Sequence, residues 1–145
     1  MKHRDYFLVA VHAFFIIDEK VLLSERANTG YMDGFFSVPA GHVEKGESIW
    51  SAMKREIQEE VGVTIDHEHE PIHVMRRAKS DEDRIDYFFV IKKWSGELQN
   101  TEPEKCSGIE WYELKNLPDN TIPYIRFALE QIEKERMFSE FEETN

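Results

Sequence analysis

Cysteine is almost absent from this sequence, since Cys106 is the only one among 145 residues. A single cysteine excludes an intrachain disulfide, so the fold must be stabilised by its core alone. Structural disulfides are typical of oxidising compartments. We therefore expect this chain to work in the reducing cytoplasm.

Long apolar runs are also missing. No stretch approaches the roughly 18 to 20 apolar residues that are needed to cross a bilayer. The apolar segment at residues 6–17 has His12 in its middle and is followed by Asp18, without a small-residue cleavage site, so it does not resemble a secretion signal. We expect no membrane partner.

Positive charge is scarce. The chain has 18 lysines and arginines against 29 aspartates and glutamates, which gives a formal net charge of −11. This charge repels DNA, RNA and anionic membrane surfaces, so we expect no nucleic-acid polymer as a partner. A small phosphate ester remains a suitable ligand if divalent cations lie between it and the acidic protein.

The residues that are present favour one domain over residues 1–145, because 41% of them are hydrophobic and the length suits a single core. Short β-branched or aromatic segments bounded by turn residues indicate strands. The strand candidates are residues 6–17, 21–23, 35–38, 72–78, 85–94 and 109–114. Residues 39–41 are expected to end the strand at residues 35–38.

Two segments have helical periodicity. The first begins after Ser48, a suitable N-cap, and ends near Val61, before Gly62. The second is expected at about residues 123–136, with a proline in its first turn, and the tail after Met137 is expected to be frayed. Strands mixed with two helices predict an α+β or mixed α/β domain in which helices cover a curved mixed sheet.

The first helix is crowded with carboxylates. Glu56 and Glu60 are i,i+4 neighbours, and Glu59 is three residues from Glu56, so all three gather along one edge. Like charges at this spacing cost about 0.2 to 0.5 kcal/mol per pair. A divalent cation would relieve the repulsion, and oxygen-only ligands favour Mg²⁺, with Mn²⁺ as a substitute.

The segment GHVEKGESIWSAMKREIQEEVGV, residues 41–63, resembles the Nudix box. That box is a glycine, five residues, Glu, seven residues, Arg-Glu, an aliphatic residue, any residue, Glu-Glu, any residue, Gly and an aliphatic residue. The resemblance implies the Nudix fold and Mg²⁺-dependent hydrolysis of a diphosphate linkage, in a nucleoside triphosphate or another nucleoside diphosphate derivative. It also implies a monomer or homodimer. The fixed positions fall on Gly41, Glu47, Arg55, Glu56, Glu59, Glu60 and Gly62.

The resemblance also implies roles for individual residues. The metal ligands would be Glu56, Glu59, Glu60 and the Ala40 backbone oxygen. Glu47 and Arg55 would pair, fixing the loop and orienting Glu56. Glu59 is the first choice as the general base, and some relatives use a glutamate from a later loop, which here would be Glu104 or, second, Glu102.

Recognition of the group attached to the diphosphate is less specified. Asp119 and Tyr124 lie where relatives often shape the base pocket, so we expect them to contact the substrate. Residues Arg76, Arg77 and Arg84 either reach a substrate phosphate or neutralise the surrounding acid. The rival interpretation of the whole chain is a catalytically silent nucleotide sensor or partner-binding module on the same fold.

Overall fold

The computed structural model describes residues 6–79 and 81–143; residues 1–5, 80 and 144–145 of the expected domain lie outside the described residues. It contains eight strands and two α-helices within those residues. In chain order these are β1 (Leu8–Ile17), β2 (Lys20–Arg26), β3 (Phe36–Ser37), β4 (Ala40–His42), α1 (Ile49–Val61), β5 (His73–Ala78), β6 (Asp83–Ile91), β7 (Cys106–Glu113), α2 (Pro123–Glu133) and β8 (Phe138–Glu142).

The strands form one mixed sheet. Its main path runs β3-β2-β1-β6-β5-β8, while β4 pairs with β1 and β7 pairs with β2. The pairs β1/β6 and β5/β8 are parallel, and the other pairs are antiparallel. A mixed sheet with two helices confirms the expected α+β class.

The central strand β1 separates two hydrophobic clusters. Val11 and Phe15 pack with α1 on one face, whereas Phe14 packs with α2 on the other. Because helices cover both faces, residues 10–15 of β1 are all buried, which explains why they are apolar except for His12. The sheet is thus enclosed between α1 and α2, as the sequence predicted.

Helix α1 begins and ends where its capping residues indicate. The Ser51 backbone N–H donates to Oγ of Ser48 (3.1 Å), and Gly62 ends the helix with a left-handed φ of 71°. Ala52, Met53, Ile57 and Val61 form the buried stripe. Burial of this stripe fixes the rotation of the helix, and therefore the direction of its carboxylates.

The C-terminal region differs from the expectation. Helix α2 ends at Glu133 rather than near residue 136, because Glu135 takes a left-handed φ of 59°. The expected frayed tail was wrong, since β8 follows and pairs in parallel with β5, Val74 opposite Phe138.

Strand β4 is a second difference, because residues 39–41 were expected to be only the end of a strand. Gly41 lies opposite Val11 of β1 in this short antiparallel pair. Pairing with β1 holds the start of the carboxylate-rich segment against the sheet.

Neither α-helix among the described residues has the length and apolar character that a membrane span requires.

Candidate active site

Gly41 on β4 lies in direct contact with the Glu56 carboxylate of α1. A Cβ atom at residue 41 would overlap the carboxylate carbon and both oxygens of Glu56. Any larger residue here would displace the Glu56 carboxylate, and the φ of Gly41 is not left-handed. This contact places the Glu56 carboxylate against the backbone of β4.

Arg55 connects the loop before α1 with Glu56. Its Nε and Nη2 donate to the two carboxylate oxygens of Glu47 (2.7 and 3.0 Å), and its Nη1 donates to Oε1 of Glu56 (2.7 Å). Nη2 also donates to the His42 carbonyl (3.1 Å). Hydrogen bonds from the Arg55 guanidinium lower the pKa of Glu47 to about 2. The structure thus brings Glu47, Arg55 and Glu56 together in one charged cluster.

Glu60 lies deeper than Glu56. Its Oε2 accepts a hydrogen bond from the Ala40 backbone N–H (2.7 Å). Burial, with a smaller contribution from the neighbouring Glu56 charge, raises the pKa of Glu60 to about 8. Burial also raises the pKa of Glu56 above its usual range, against the opposing effect of Arg55. The Glu60 carboxylate is therefore expected to hold less charge at neutral pH than a free carboxylate does.

Glu56 and Glu60 line a cleft of about 430 Å³, which we call the acidic cleft. Glu102 lines it too, whereas Glu104 does not. Glu104 is exposed, and its carbonyl accepts a hydrogen bond from the Asn28 amide (3.0 Å). The other lining residues are Ser24, Glu25, Arg26, Asn28, Thr29, Ser37, Val38, Lys105 and Cys106.

Glu59 lies apart from these carboxylates. Its side chain is 56% exposed and lies 3.4 Å from Nη1 of Arg55. Among the described residues, no group of three or more aspartate, glutamate, histidine or cysteine side chains has the arrangement of a metal site. The structure therefore brings Glu56, Glu60 and Glu102 to one cleft and leaves Glu59 and Glu104 outside it.

The oxygen atoms of the acidic cleft suit a hard divalent cation as ligands. One oxygen of Glu56 is used by Arg55 and one oxygen of Glu60 by Ala40, which leaves one carboxylate oxygen on each side chain for a ligand. The charges of Glu56, Glu59 and Glu102 all raise the pKa of Glu60, so a cation there would relieve repulsion. Carboxylate oxygens without nitrogen or thiolate partners suit Mg²⁺ or Mn²⁺.

The buried carboxyl group of Glu60 is expected to make the stability of the metal-free protein depend on pH. The pKa of Glu60, about 8 in the folded protein, exceeds its ordinary value of 4.5. Between these values the folded protein binds a proton that the unfolded chain releases, so stability falls as pH rises. We expect the thermal midpoint in EDTA to decline between about pH 5 and pH 8, and Glu60→Gln to decline less.

The control for this prediction is Glu68→Gln, because Glu68 lies on an exposed loop outside the cleft. Its midpoints should follow those of the wild type at each pH. Parallel profiles for the wild type and Glu60→Gln would contradict the assignment of this pH dependence to Glu60.

A second cavity of about 300 Å³ adjoins the first, and we call it the cation-lined pocket. Tyr124, expected to contact the substrate, lines it, with the Arg77 guanidinium 3.6 Å above its ring. Asp119 is exposed and is not among the described residues that line either cavity. The pocket is lined by Ala10, His12, Arg26, Tyr31, Ala40, Gly41, His42, Arg77, Lys79, Arg84 and Tyr124.

Arg77 belongs to a buried ionic network that sequence reasoning missed. Asp86 accepts a hydrogen bond from Nε2 of His12 (2.9 Å), and its other oxygen lies 2.9 Å from Nε of Arg77. Burial lowers the pKa of His12 below its usual range in spite of Asp86. Burial opposes ionisation of Asp86, but His12 and Arg77 hold its pKa below the usual range. The sequence did contain an indication of this network, because the charged residues Arg84 and Asp86 interrupt the apolar pattern of one face of β6.

Comparison with known proteins matches residues 7–132 to the model of the NUDIX domain. An ADP-ribose pyrophosphatase from Methanocaldococcus jannaschii is 33% identical over 116 residues, 76% of this chain and 64% of that protein. The 8-oxo-dGTP diphosphatase of Escherichia coli is 27% identical over 106 residues, 73% of this chain and 79% of that protein. The chain covers between 27% and 64% of the length of the first relatives that it matches.

The fold has close counterparts among solved structures. The crystal structure of a MutT NUDIX hydrolase from Burkholderia pseudomallei superposes with a TM-score of 0.80 at 26% identity, over 88% of this chain and 99% of that one. This likeness extends over most of the chain. It confirms the fold that the box resemblance implied.

Proposed function

The chain belongs to the NUDIX family, and we propose that it hydrolyses a diphosphate linkage in a nucleoside triphosphate or another nucleoside diphosphate derivative, with Mg²⁺ as its metal and Mn²⁺ as a substitute. The observation that carries the proposal is the acidic cleft, where Glu56 and Glu60 of the box lie beside the Gly41 contact. The names of two relatives, ADP-ribose pyrophosphatase and 8-oxo-dGTP diphosphatase, support a diphosphate linkage as the target.

Within this proposal, the metal would be held by Glu56, Glu60 and the Ala40 backbone oxygen, with Glu59 nearby on the same helix. A bound Mg²⁺ supplies charge neutralisation at the diphosphate and lowers the pKa of water. Arg55 donates to Glu56 and to Glu47, so it favours the ionised form of the Glu56 carboxylate and fixes its direction. Arg55 and Glu47 thus act as positioning residues.

A carboxylate must accept the proton of the attacking water, and it has to reach the acidic cleft to do so. Glu102 lines the cleft, while Glu59 is largely exposed and Glu104 lies outside the lining. The geometry therefore favours Glu102 over Glu59, which the sequence placed first. The loop that carries Glu102 is held to α1, since the Thr101 backbone N–H donates to the Glu60 carbonyl (3.3 Å).

The compartment and assembly state belong to the same proposal. The lone Cys106 suits a reducing compartment, so the cytoplasm is the proposed location. A monomer or a homodimer is the proposed assembly, with a small nucleotide as the partner in solution.

A substrate panel tests the proposed activity. Nucleoside triphosphates, dinucleoside polyphosphates and nucleotide sugars are incubated with Mg²⁺, with Mn²⁺ or with EDTA, and products are separated by chromatography. We expect at least one compound to be cleaved at its diphosphate, with a rate at least ~10²-fold lower in EDTA.

Binding without turnover would contradict the proposed activity. A catalytically silent nucleotide-binding module would bind members of the panel by calorimetry and release no product with either metal. The Glu60→Gln protein, purified in the same way, controls for contaminating phosphatases, because contaminants would cleave the panel at the same rate in both preparations.

A further inference from the structure

The cation-lined pocket has a charge opposite to that of the chain. Arg26, Arg77, Lys79 and Arg84 line it, and none of the described residues that line it is acidic. The whole chain has 29 acidic residues against 18 basic ones. A concentration of cations in a cavity of an acidic protein indicates attraction of an anion.

The sheet register places two of these cations against each other. Arg77 of β5 lies directly opposite Arg84 of β6 in the antiparallel pair. Like charges at directly opposed positions destabilise a sheet. The Arg77 side chain is only 3% exposed, so water screens this repulsion weakly. Asp86 and Glu143 lie beside Arg77 and offset this repulsion, so two guanidinium groups share one side of the sheet.

Carboxylates beside the pocket pair with these cations. Asp86 pairs with Arg77, and Glu143 lies 3.7 Å from Arg77 and 3.8 Å from Lys79. Glu82 pairs with Arg84, and the charge of Asp33 interacts with that of Arg26. None of these carboxylates is among the described residues that line the pocket, so the surface that a ligand would meet presents cations and no carboxylate.

Arg84 and Arg26 keep donors for a ligand. Glu82 accepts from Nε and Nη2 of Arg84, while Nη1 lies 3.3 Å from a ring nitrogen of His42 rather than beside a carboxylate. Arg26 donates to the Tyr31 carbonyl (2.7 Å) and the Thr29 hydroxyl (3.0 Å), which are both uncharged acceptors. Guanidinium groups with uncharged partners bind phosphate oxygens readily.

The pocket begins where the diphosphate is proposed to be cleaved. Gly41, which contacts Glu56 of the acidic cleft, lines the cation-lined pocket, and Arg26 lines both cavities. A substrate whose diphosphate lies beside Glu56 would therefore extend its attached group into this pocket. Lys79 and Arg84 both line this pocket beside the β5–β6 turn, where the Lys79 backbone N–H donates to the Glu82 carbonyl (2.9 Å).

We infer that the group attached to the diphosphate carries an additional phosphate monoester, which Arg84 and Lys79 bind; this inference rests on the proposed function. A phosphate monoester carries up to two negative charges and three acceptor oxygens, which suits a guanidinium and an ammonium acting together. The substrate class is thus a nucleoside diphosphate derivative with a further phosphate, rather than the unphosphorylated compound.

The test uses substrate pairs that differ by one phosphate monoester. NADPH and NADH, ADP-ribose 2′-phosphate and ADP-ribose, and coenzyme A and dephospho-coenzyme A are compared by kcat/KM with Mg²⁺. We expect the phosphorylated member of at least one pair to be preferred at least ~10-fold, since charge-assisted hydrogen bonds to phosphate are strong. Arg84→Gln and Lys79→Gln should each lower kcat/KM for the phosphorylated member more than for its unphosphorylated counterpart, and so remove most of that preference.

The matched control is Arg76→Gln. Arg76 is a neighbour of Arg77 on β5, pairs with Asp83 (2.8 Å) and does not line the pocket. Its removal changes the net charge of the protein as Arg84→Gln does. The preference should survive in this variant, which separates binding in the pocket from a general loss of positive charge.

The possible outcomes separate the inference from the proposed function. If the compounds are cleaved without preference for a phosphorylated member, the inference is wrong and the hydrolase proposal stands. If the preference survives in both Arg84→Gln and Lys79→Gln, the pocket has been misassigned. If nothing is cleaved, binding is measured by calorimetry. Tighter binding of a phosphorylated member, weakened by Arg84→Gln, would support the inference and contradict only the proposed catalysis. Equal binding of both members would contradict the inference as well.

Discussion

Replacement of Glu60 by glutamine is expected to lower kcat at least ~10²-fold and to leave the fold intact. Glutamine keeps the size of the side chain and an acceptor oxygen for the Ala40 N–H. It cannot supply the negative oxygen that a divalent cation needs. The variant should therefore lose the metal chemistry and retain its packing.

Thermal unfolding separates these two effects. The wild-type midpoint should rise when Mg²⁺ is added, because a cation at 100 times its Kd stabilises the folded state by about 2.7 kcal/mol. Glu60→Gln should show little rise. In EDTA near neutral pH its midpoint should equal or exceed that of the wild type, since burial makes the Glu60 carboxylate costly to ionise, with a pKa of about 8.

The control for the kinetic effect is Glu68→Gln, which makes the same chemical change on an exposed loop. It should keep the wild-type kcat and the wild-type response to Mg²⁺. If Glu60→Gln also kept both, the acidic cleft would not be the metal site, whatever the family of the chain.

The parts of this molecule with a strong local pattern could be predicted from sequence. Helix α1 has a serine that accepts from the first turn and a glycine at its end, and both were found where expected. Its apolar periodicity predicted the buried residues Met53, Ile57 and Val61, while Ile49 and Trp50 are only partly buried. These features depend on residues within one helix, so long-range packing did not alter them. The box spacing predicted Glu56, Glu59 and Glu60 along one helical edge, and of these Glu56 and Glu60 line the acidic cleft while Glu59 does not.

Strands β4 and β8 could not be predicted, because their pairing is set by distant residues. The three residues of β4 pair with β1 about 30 positions earlier, and Phe138 of β8 pairs with Val74 of β5. Neither segment has enough length or alternation to indicate a strand alone. The end of α2 was misjudged for the same reason, since β8 requires the chain to turn at Glu135.

The acidic cleft shows the same division between local and long-range information. Glu102 and Glu104 are two residues apart in an irregular loop, where no periodicity reveals which side chain turns inward. The cation-lined pocket depends on sheet register, which brings Arg77 opposite Arg84. Sequence reasoning identified both arginines and left their role open, because the register of β5 and β6 was unknown.

Gly41→Ala is expected to lower kcat/KM at least ~10²-fold, although it adds a single methyl group to a strand. The new Cβ would overlap the carboxylate of Glu56, so either Glu56 or the backbone of β4 must move. Catalytic sites tolerate displacements of about 1 Å poorly. Steady-state kinetics with Mg²⁺ measures the loss, and the apparent Kd for Mg²⁺ should rise with it.

Gly108→Ala is the matched control for this substitution. A Cβ at residue 108 meets no atom within 4 Å, and neither Gly41 nor Gly108 has a left-handed φ. The two substitutions therefore change the conformational freedom of the unfolded chain alike and differ in what the methyl group meets. Gly108→Ala should stay within about 3-fold of the wild-type kcat/KM.

A double-mutant cycle decides whether Gly41 acts through Glu56. If the methyl group harms activity only by displacing the Glu56 carboxylate, Gly41→Ala should have little further effect in a Glu56→Ala background, where that carboxylate is gone. Full additivity of the two losses would show that Gly41 serves the site in another way. Because the overlap involves Glu56 alone among the nearest atoms, strong non-additivity is the outcome that the geometry requires.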